Sequence, residues 1–403
     1  MIKHLSHALL ISASLFAAAA ANAAPSPEAE RTGREVAARA IEFLRLQQDE
    51  ATGGWSHQED GPNLPAISSL VLTGMLLDPA IDWTDPDVSR GIDYVLGFEK
   101  PGGGIHDDFL PTYNTAISIS MLSMVPQAEA ASAIRGGLGL LRRAQWGAFD
   151  PTQTPNPEAP GWSEPVPAEH PYYGGVGYGG NNRPDMSNMH FFMRALHDAG
   201  VSTDDPAFER ALVFLRRTQM DGRINEMDYA EGSRQGGFIY ATVPNAESID
   251  SVPGQSQAGT MTEVLADGTR ATRLRAYGSM TYAGFKSLIY ADLSRDDPRV
   301  QAARRWLSEH YTLEENPGLG DQGLYYYYLV MGRALDAFGE SAFPVEGEDG
   351  ETERRRWADD LIDRLAELQR PDGSFEVRHP RWMEDNEVLI TAYGLIALQH
   401  ALH

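Results

Sequence analysis

The sequence predicts an all-α protein of the (α/α)6 toroid class, a closed ring of six helical hairpins. One unit recurs about six times along the 403 residues: an apolar residue and Leu, three residues, Gln, a short gap, then Gly-x-aromatic. A second helical run, richer in small and apolar residues, follows each copy. Such a hairpin buries both of its helices only when copies of itself flank it. We expect a closed ring rather than an open superhelix, because the second helices are apolar on every side.

The clearest unit occupies residues 357–402. Its first helix is amphipathic and runs to Leu368, after which Gln369, Gly373 and Phe375 complete the pattern. Its second helix is apolar almost all round, so it should lie in an inner layer. This unit therefore predicts amphipathic outer helices and buried inner helices.

The other five units show the same order with local changes. The glutamine position is held in turn by Gln48, Glu99, Gln145, Gln219 and Tyr311. We expect the glycine and aromatic after Gln145 at Gly147 and Phe149, and the glycine after Gln219 at Gly222.

The boundaries of the helices are predicted from the residues that cap them. Asp-Pro pairs beginning at Asp85, Asp205 and Asp297 suit an N-cap followed by proline in the first turn of an outer helix. The inner helices are predicted to begin near Leu64, Thr112, Ser187, Tyr277, Gln322 and Asn386.

Two long stretches interrupt the repeat. Residues 147–184 are rich in Pro, Gly and Tyr, and residues 221–276 contain a predicted β-hairpin that turns at 266–268. Both connect an outer helix to the next inner helix, so both should lie over the same mouth of the ring.

Composition narrows the functional class. The net charge of −24 argues against nucleic acid and anionic membrane surfaces as partners, and the absence of cysteine excludes disulfides and thiolate metal sites.

Residues 1–23 combine Lys3, an apolar stretch and the small-x-small pattern Ala21-Asn22-Ala23, which predicts a cleaved secretory signal. We therefore expect one mature domain, 24–403, in the periplasm or outside the cell, with no membrane-spanning segment after cleavage. The sequence does not indicate the oligomeric state.

The repeated unit resembles the QW repeat of squalene and oxidosqualene cyclases, and the six-hairpin plan resembles those cyclases and the protein prenyltransferases. The stretches 177–180, 183–185, 277–284 and 322–328 look like exported bacterial prenyltransferase/squalene-oxidase repeat proteins. The resemblance spans nearly all of the mature chain. It implies the toroid fold and an isoprenoid or terpenoid ligand.

The catalytic groups of the resembled families are missing from this sequence. No Asp-x-Asp-Asp occurs, and the slot before Thr391-Ala392, where a cyclase carries it, holds residues 387–390 with a single acid. The prenyltransferase zinc needs a cysteine ligand. A diphosphate-like motif, Asp359-Asp360-x-x-Asp363, lies off the apolar stripe of an outer helix. We therefore predict no metal and no cofactor.

The predicted site is the mouth where the inner helices begin, because exposed N–H groups and helix dipoles converge there and favour an anionic or carbonyl-rich ligand. Asp185 and Glu387 are the candidate catalytic acid–base pair, although Asp185 also suits an N-cap. The candidate ligand-binding residues are Ser187, Asn188, Tyr277, Ser279, Tyr113, Asn114, Tyr325, Tyr326 and Arg183. Of the tyrosines at 325–328, we expect one or two to reach the cavity, because four in succession span about 300° of a helix.

Three functions agree with this sequence. The first is binding or transformation of a terpenoid-like or other ring-containing small molecule in a polar, aromatic cavity. The second is a polysaccharide-acting enzyme that uses Asp185 and Glu387 as paired carboxyls. The third is a non-catalytic scaffold that binds proteins on its rim.

Overall fold

The computed structural model describes residues 24–55, 61–147, 162–179, 181–243, 254–265, 267–347 and 350–403. The predicted signal segment, 1–23, lies outside these residues. Within them the chain forms twelve α-helices, two β-hairpins and two short 3-10 turns. No helix of the described part combines the length and the apolar character that a membrane span requires.

Outer and inner helices alternate along the chain. The outer helices are α1 (Pro27–Leu46), α3 (Pro86–Leu96), α5 (Ala128–Ala144), α7 (Pro206–Thr218), α9 (Pro298–Glu309) and α11 (Trp357–Leu368). The inner helices are α2 (Pro65–Leu76), α4 (Pro111–Leu122), α6 (Met186–Asp198), α8 (Gly278–Tyr290), α10 (Leu324–Phe338) and α12 (Glu387–Leu402).

The inner helices form a closed ring. Each packs against the inner helix before it and the one after it, and α12 packs against α2. The outer layer meets at the same junction, because α11 packs against α1. The predicted (α/α)6 toroid is therefore confirmed.

The sequence of each helix accounts for its layer. Outer helices α3, α7 and α9 begin at Asp-Pro, and the carboxylates of Asp85, Asp205 and Asp297 accept backbone N–H groups of the first turn. Only one face of each outer helix is buried. The inner helices are buried nearly throughout, which matches their small and apolar residues.

The repeat glutamines join neighbouring hairpins. The Nε2 group of each donates one hydrogen bond to the glycine carbonyl of its own turn and one to a carbonyl of the next outer helix, at 2.8–3.1 Å. The pairs of acceptors are Gly53 and Asp87 for Gln48, Gly174 and Ala207 for Gln145, Gly236 and Arg299 for Gln219, and Gly373 and Val36 for Gln369. The last pair closes the ring, because Val36 belongs to α1.

The turn glycine is required by space as well as by φ in several units. Gly174, at φ +82°, lies so close to the next outer helix that an added Cβ would be 1.8 Å from the carbonyl oxygen of Arg210. Gly373, at φ +91°, meets the carbonyl of Arg39 in the same way, at 2.2 Å. The turn therefore rests directly on the neighbouring helix.

Two expected positions were wrong. Gln145 pairs with Val176 and binds the carbonyl of Gly174, so the turn does not use Gly147; Phe149 lies outside the described residues. Gln219 pairs with Phe238 and binds the carbonyl of Gly236, not that of Gly222. In both units the inserted segment begins inside the turn, which separates the glutamine from its glycine in sequence while keeping them in contact.

The insertions lie over the mouth where the inner helices begin. The second contains the predicted hairpin, with β1 (Thr260–Val264) antiparallel to β2 (Arg270–Leu274). A hairpin that was not predicted, β3 (Phe343–Glu346) and β4 (Thr352–Arg355), joins α10 to α11.

Glu99→Gln is expected to stabilise the fold. Glu99 occupies the glutamine position of the second unit, and an ionised carboxylate cannot donate the two hydrogen bonds that the other units make. A glutamine there would reach the corresponding carbonyls, of Gly103 and Ala133, and raise the unfolding free energy by about 1 kcal/mol. Urea denaturation followed by circular dichroism measures the change.

The reverse substitution and an exposed control complete that test. Gln145→Glu should destabilise the protein, because a carboxylate would face two carbonyl oxygens. Glu42→Gln, on the exposed face of α1, should change stability little. A neutral or destabilising Glu99→Gln would contradict this role of the glutamines.

Candidate functional site

A cavity of about 310 Å³ lies on the ring axis at the mouth where the inner helices begin. All six inner helices contribute to its wall, so the ring encloses it on every side. The insertions contribute Tyr178, Tyr240 and Gln257, and the segment before α12 contributes residues 382–384. The cavity is therefore an axial pocket that the inner helices surround and that opens at this mouth, rather than a groove across the surface.

The wall combines an apolar side with a belt of tyrosines. Ala66, Ile67 and Leu70 of α2 are the centre of the apolar side. The tyrosines of the belt are Tyr113, Tyr178, Tyr240, Tyr277, Tyr326 and Tyr393. Their rings contact one another: Tyr113 stacks on Tyr178 with ring centroids 6.0 Å apart, and Tyr326 meets Tyr393 edge-on at 6.0 Å. Burial raises the pKa of Tyr178 to about 12, so this hydroxyl stays neutral.

Most of the inner-helix N-termini that converge on the mouth are capped by the protein itself. The side-chain oxygens of Asn114, Asp185, Asn316, Glu384 and Asn386 accept backbone N–H groups of α2, α6, α8, α10 and α12 respectively. These bonds satisfy donors that were expected to attract an anionic ligand. The mouth therefore does not offer the ring of free N–H groups that the sequence suggested.

Glu384 is the one carboxyl group among the described residues that line the cavity. Its side chain is 1% exposed; Oε1 accepts the N–H of Tyr326 at 2.9 Å, and Oε2 has no hydrogen-bond partner among the described residues. Burial raises the pKa of Glu384 to about 7, although the backbone N–H groups at the start of α10 lower it. Near pH 7 this carboxyl is thus partly protonated, whereas an exposed glutamate would be ionised.

The backbone that brings Glu384 inward is unusual. Trp382 and Met383, in the 3-10 turn before it, both have positive φ, at 59° and 66°. Left-handed conformations of such bulky residues cost about 1–3 kcal/mol each and concentrate at ligand sites. Trp382 and Met383 also line the cavity while 45% and 42% exposed, so they form part of its entrance.

The structure gives Asp185 the N-cap position of α6. Its two carboxylate oxygens accept the backbone N–H and the side-chain amide of Asn188, both at 2.9 Å. Burial raises the pKa of Asp185 to about 6 against these hydrogen bonds. Neither Asp185 nor Asn188 is among the residues that line the cavity.

Glu387 lies apart from the cavity. It is the first residue of α12, its side chain is 45% exposed, and it forms an ion pair with Arg370 at 2.5 Å. The expected pair of Asp185 and Glu387 in one cavity is therefore not present. Glu384, three residues earlier, occupies the inward position instead.

The other candidate residues divide into two groups. The cavity wall includes Tyr113, Asn114, Ser187, Tyr277, Ser279 and Tyr326. Tyr325 instead donates to the carbonyl of Glu376 at 2.6 Å and packs between helices. Arg183 binds the carbonyl of Val243 and the side chain of Gln255, which ties the two insertions together.

The described residues contain one three-residue group whose donor atoms lie close enough to share a metal ion, namely Asp336, His400 and His403. It lies at the end of the ring opposite the cavity. Asp336 is already hydrogen-bonded to His400 Nδ1 at 2.6 Å. Burial lowers the pKa of His400 to about 4, with Arg333 and Arg194 adding to the effect. These neighbouring positive charges oppose a further cation.

Comparisons with solved structures identify the same architecture elsewhere. A variant of the type II terpene cyclase MstE from Scytonema, in complex with the substrate geranylgeranyl dihydroxybenzoate, matches at a TM-score of 0.50 and 12% identity, covering 94% of this chain and 99% of that one. Another MstE variant, in complex with the product merosterolic acid A, matches at 0.50 and 12%, covering 93% and 98%. A polysaccharide lyase matches at 0.47 and 10%, covering 92% and 97%, which is too weak to carry an argument.

No protein-family model and no curated relative matches the sequence. At 12% identity the structural similarity shows the fold alone. The chain therefore has the α/α toroid fold of the terpene cyclases, and its own residues must identify what the cavity does.

Glu384→Gln is expected to change how stability depends on pH. The folded protein holds the Glu384 proton to about pH 7, whereas an exposed glutamate releases it near 4.5. The folded state therefore loses stability as pH rises between these values, by up to about 3 kcal/mol. The glutamine has no proton to lose, so the variant should gain stability relative to the wild type between pH 5 and pH 8 in chemical denaturation.

Glu387→Gln is the matched control, three residues away and outside the cavity. It should leave the pH profile unchanged. If the two variants respond to pH alike, Glu384 does not hold a proton in the folded protein.

Proposed function

We propose that the cavity binds a small, mainly apolar molecule with an oxygen function, of the terpenoid or similar ring-containing class, and that neutral Glu384 donates a hydrogen bond or a proton to that oxygen. The observation that carries this proposal is the buried Glu384 carboxyl, held neutral to about pH 7 in the wall of an otherwise apolar and aromatic cavity.

The shape and lining of the cavity support a small ligand. About 310 Å³ is at the lower end of the range of roughly 300–1,000 Å³ for small-molecule sites. Tyrosine faces and the apolar side formed by α2 favour a hydrocarbon skeleton, while Ser187, Ser279, Gln257 and Glu384 supply a few polar contacts. This combination is typical of sites that bind an apolar body and orient it by one polar end.

The acidity of Glu384 favours an oxygen atom as its partner. Burial without a second carboxyl keeps the acid neutral but makes it a weaker acid, unlike the crowded acids that a cyclase needs to protonate an alkene. A neutral carboxyl is well suited to polarise a carbonyl or bind a hydroxyl, and the tyrosine faces would stabilise positive charge that develops nearby. The substrate of the MstE structure also joins an isoprenoid chain to an oxygenated ring, which agrees with this class.

The alternatives are less well supported. Cleavage of a glycan by paired carboxyls needs two acids that flank the bond, and the described lining contains one. A protein-binding scaffold would leave both the buried acid and the strained turn at Trp382 and Met383 without a purpose.

The proposal includes export. Residues 1–23 combine a basic start, an apolar stretch and a small-x-small site, which is the pattern of a cleaved signal. We therefore place the activity in the periplasm or outside the cell, and fractionation of cells that express the full chain tests that location.

Binding of a matched pair of probes tests the role of Glu384. Farnesal, a terpenoid aldehyde whose oxygen only accepts hydrogen bonds, should bind more tightly than farnesene, the corresponding hydrocarbon, because only the aldehyde offers an oxygen to the acid. Farnesal affinity should fall as pH rises through about 7, where Glu384 loses its proton. Calorimetric titration at several pH values measures both effects.

Two variants complete this experiment. Glu384→Gln keeps a donor at every pH, so farnesal binding should become independent of pH, whereas Glu387→Gln should behave as the wild type. Equal affinity for both probes, or a pH dependence that survives in Glu384→Gln, would refute the proposed role. Mass spectrometry of ligands that copurify with the protein from its own cells would then identify the natural molecule.

A further inference from the structure

We infer that the toroid has a second site, on the ring axis beneath the cavity, where Arg194, Lys286 and Arg333 bind a small oxyanion with two negative charges. This site is separate from the cavity, so the inference does not depend on the proposed function. It rests on the positions, the burial and the missing partners of these three cations.

The positions follow from helix periodicity. Each cation lies seven residues after a cavity-lining residue of the same inner helix: the pairs are Ser187 and Arg194, Ser279 and Lys286, and Tyr326 and Arg333. Seven residues are nearly two full turns, so both members share a face and are separated by about 10.5 Å along the helix. The three cations therefore face the axis about two turns below the cavity.

All three side chains are buried, and none has its full set of partners. Lys286 is 0% exposed and Arg333 is 2% exposed. Lys286 Nζ, Arg333 Nε and Arg194 Nη1 have no hydrogen-bond partner among the described residues. Both ring nitrogens of the neighbouring buried His190 also lack one. Buried polar groups without a protein partner usually bind an ordered water or an ion.

The charges within the cluster do not balance. Asp198, which accepts from Arg194 Nε at 2.8 Å, is a partly buried carboxylate that acts on all three basic groups. Asp336 is nearby but is bonded to His400 at the opposite mouth. When all three basic groups are protonated, they exceed Asp198 by two positive charges, and by one when Asp336 is also counted.

Repulsion among the basic groups adds to the cost of burying them. Burial lowers the pKa values of Lys286 and Arg333 well below their ordinary range; Arg194 lowers both further, and Arg333 also lowers that of Lys286. Arg194, Lys286 and Arg333 also help to hold His190 neutral, in addition to its burial. The other titratable groups that face the cluster include Asp198, Tyr290 and Tyr393, and at the opposite mouth Asp336 and His400.

An oxyanion such as sulfate or hydrogenphosphate would supply the missing hydrogen-bond partners and offset the excess positive charge. It brings two negative charges and several acceptor oxygens, and guanidinium and ammonium groups bind such oxygens through short, charge-assisted hydrogen bonds. Water alone would satisfy the donors but would leave the charge. The C-terminal halves of the inner helices surround the cluster, and their dipoles favour cations there, so the experiment must separate an ion from this background.

Binding of labelled inorganic phosphate tests the site. Protein dialysed free of oxyanions should bind about one phosphate per chain in equilibrium dialysis at constant ionic strength. Its melting temperature should rise with phosphate concentration more than with equivalent chloride. Lys286→Met and Arg333→Met should each weaken phosphate binding about tenfold or more, since each removes one partner of a buried charge.

Several controls keep the test decisive. Arg333→Lys, which keeps the charge, should retain more binding than Arg333→Met, so a general packing defect is distinguishable from loss of the site. Arg34→Met, at an exposed ion pair on α1, should bind as the wild type. Phenyl phosphate distinguishes a free ion from the end of a larger molecule: if it binds with the same dependence on the variants, the oxyanion belongs to an organic ligand.

The contrary results are equally clear. No saturable phosphate binding would overturn the inference and would mean that helix dipoles alone accommodate the cations. Binding that Lys286→Met and Arg333→Met leave unchanged would place the phosphate elsewhere and would also overturn it.

Discussion

The side-chain amide of the repeat glutamine is the interaction on which this architecture depends. One amide group donates to the turn of its own hairpin and to the next outer helix, so it fixes both the local turn and the spacing between hairpins. Its oxygen often accepts an arginine of that next helix, as Gln48 does from Arg90 and Gln369 from Arg39. Ala302 occupies the arginine position after Gln219, whose Oε1 has no partner among the described residues. The contacts between neighbouring hairpins thus share the same glutamine hydrogen bonds but differ in whether an arginine adds a further one.

The ring gives its interior a polarity that organises both sites. All inner helices begin at one mouth and end at the other, so their positive dipole ends surround the cavity and their negative ends lie opposite. The buried acids, Asp185 and Glu384, lie at the first end, and Arg194, Lys286 and Arg333 lie nearer the second. These five charged groups are placed where the helix dipoles oppose part of their desolvation cost. The two ends of the ring interior are consequently chemically distinct.

The fold could be predicted from the sequence because each hairpin repeats the same local sequence pattern. The turn around Gln369, Gly373 and Phe375 could be transferred to other units, and its hydrogen bonds recur there. The transfer failed for Gln145 and Gln219, where an insertion separates the glutamine from its glycine. The glutamine and its glycine still contact each other in the structure. Their spacing in the sequence, by which the repeat is recognised, is lost.

The site was predicted less completely, for a different physical reason. Helix periodicity identified which mouth and which helix starts contribute, such as Tyr113, Ser187 and Tyr326. It could not identify Glu384, because two bulky residues in left-handed conformations reverse the chain just before it. The cations left a sequence signal that was overlooked: Arg194, Lys286 and Arg333 are each the one Lys or Arg of a largely buried inner helix. A lone cation in such a helix must face either solvent or a partner inside the ring.

The closure of the ring limits how proteins of this shape can diversify. In an open array, a hairpin added at an end costs little, because only one interface changes. Here α12 already packs against α2, and Gln369 already binds α1, so a seventh hairpin would have to break a joint and widen the whole ring. Turns carry no such restriction, as the segments inserted after Gln145 and Gln219 demonstrate. New chemistry in this architecture is therefore expected to arise through longer turns at one mouth, while the number of hairpins stays constant.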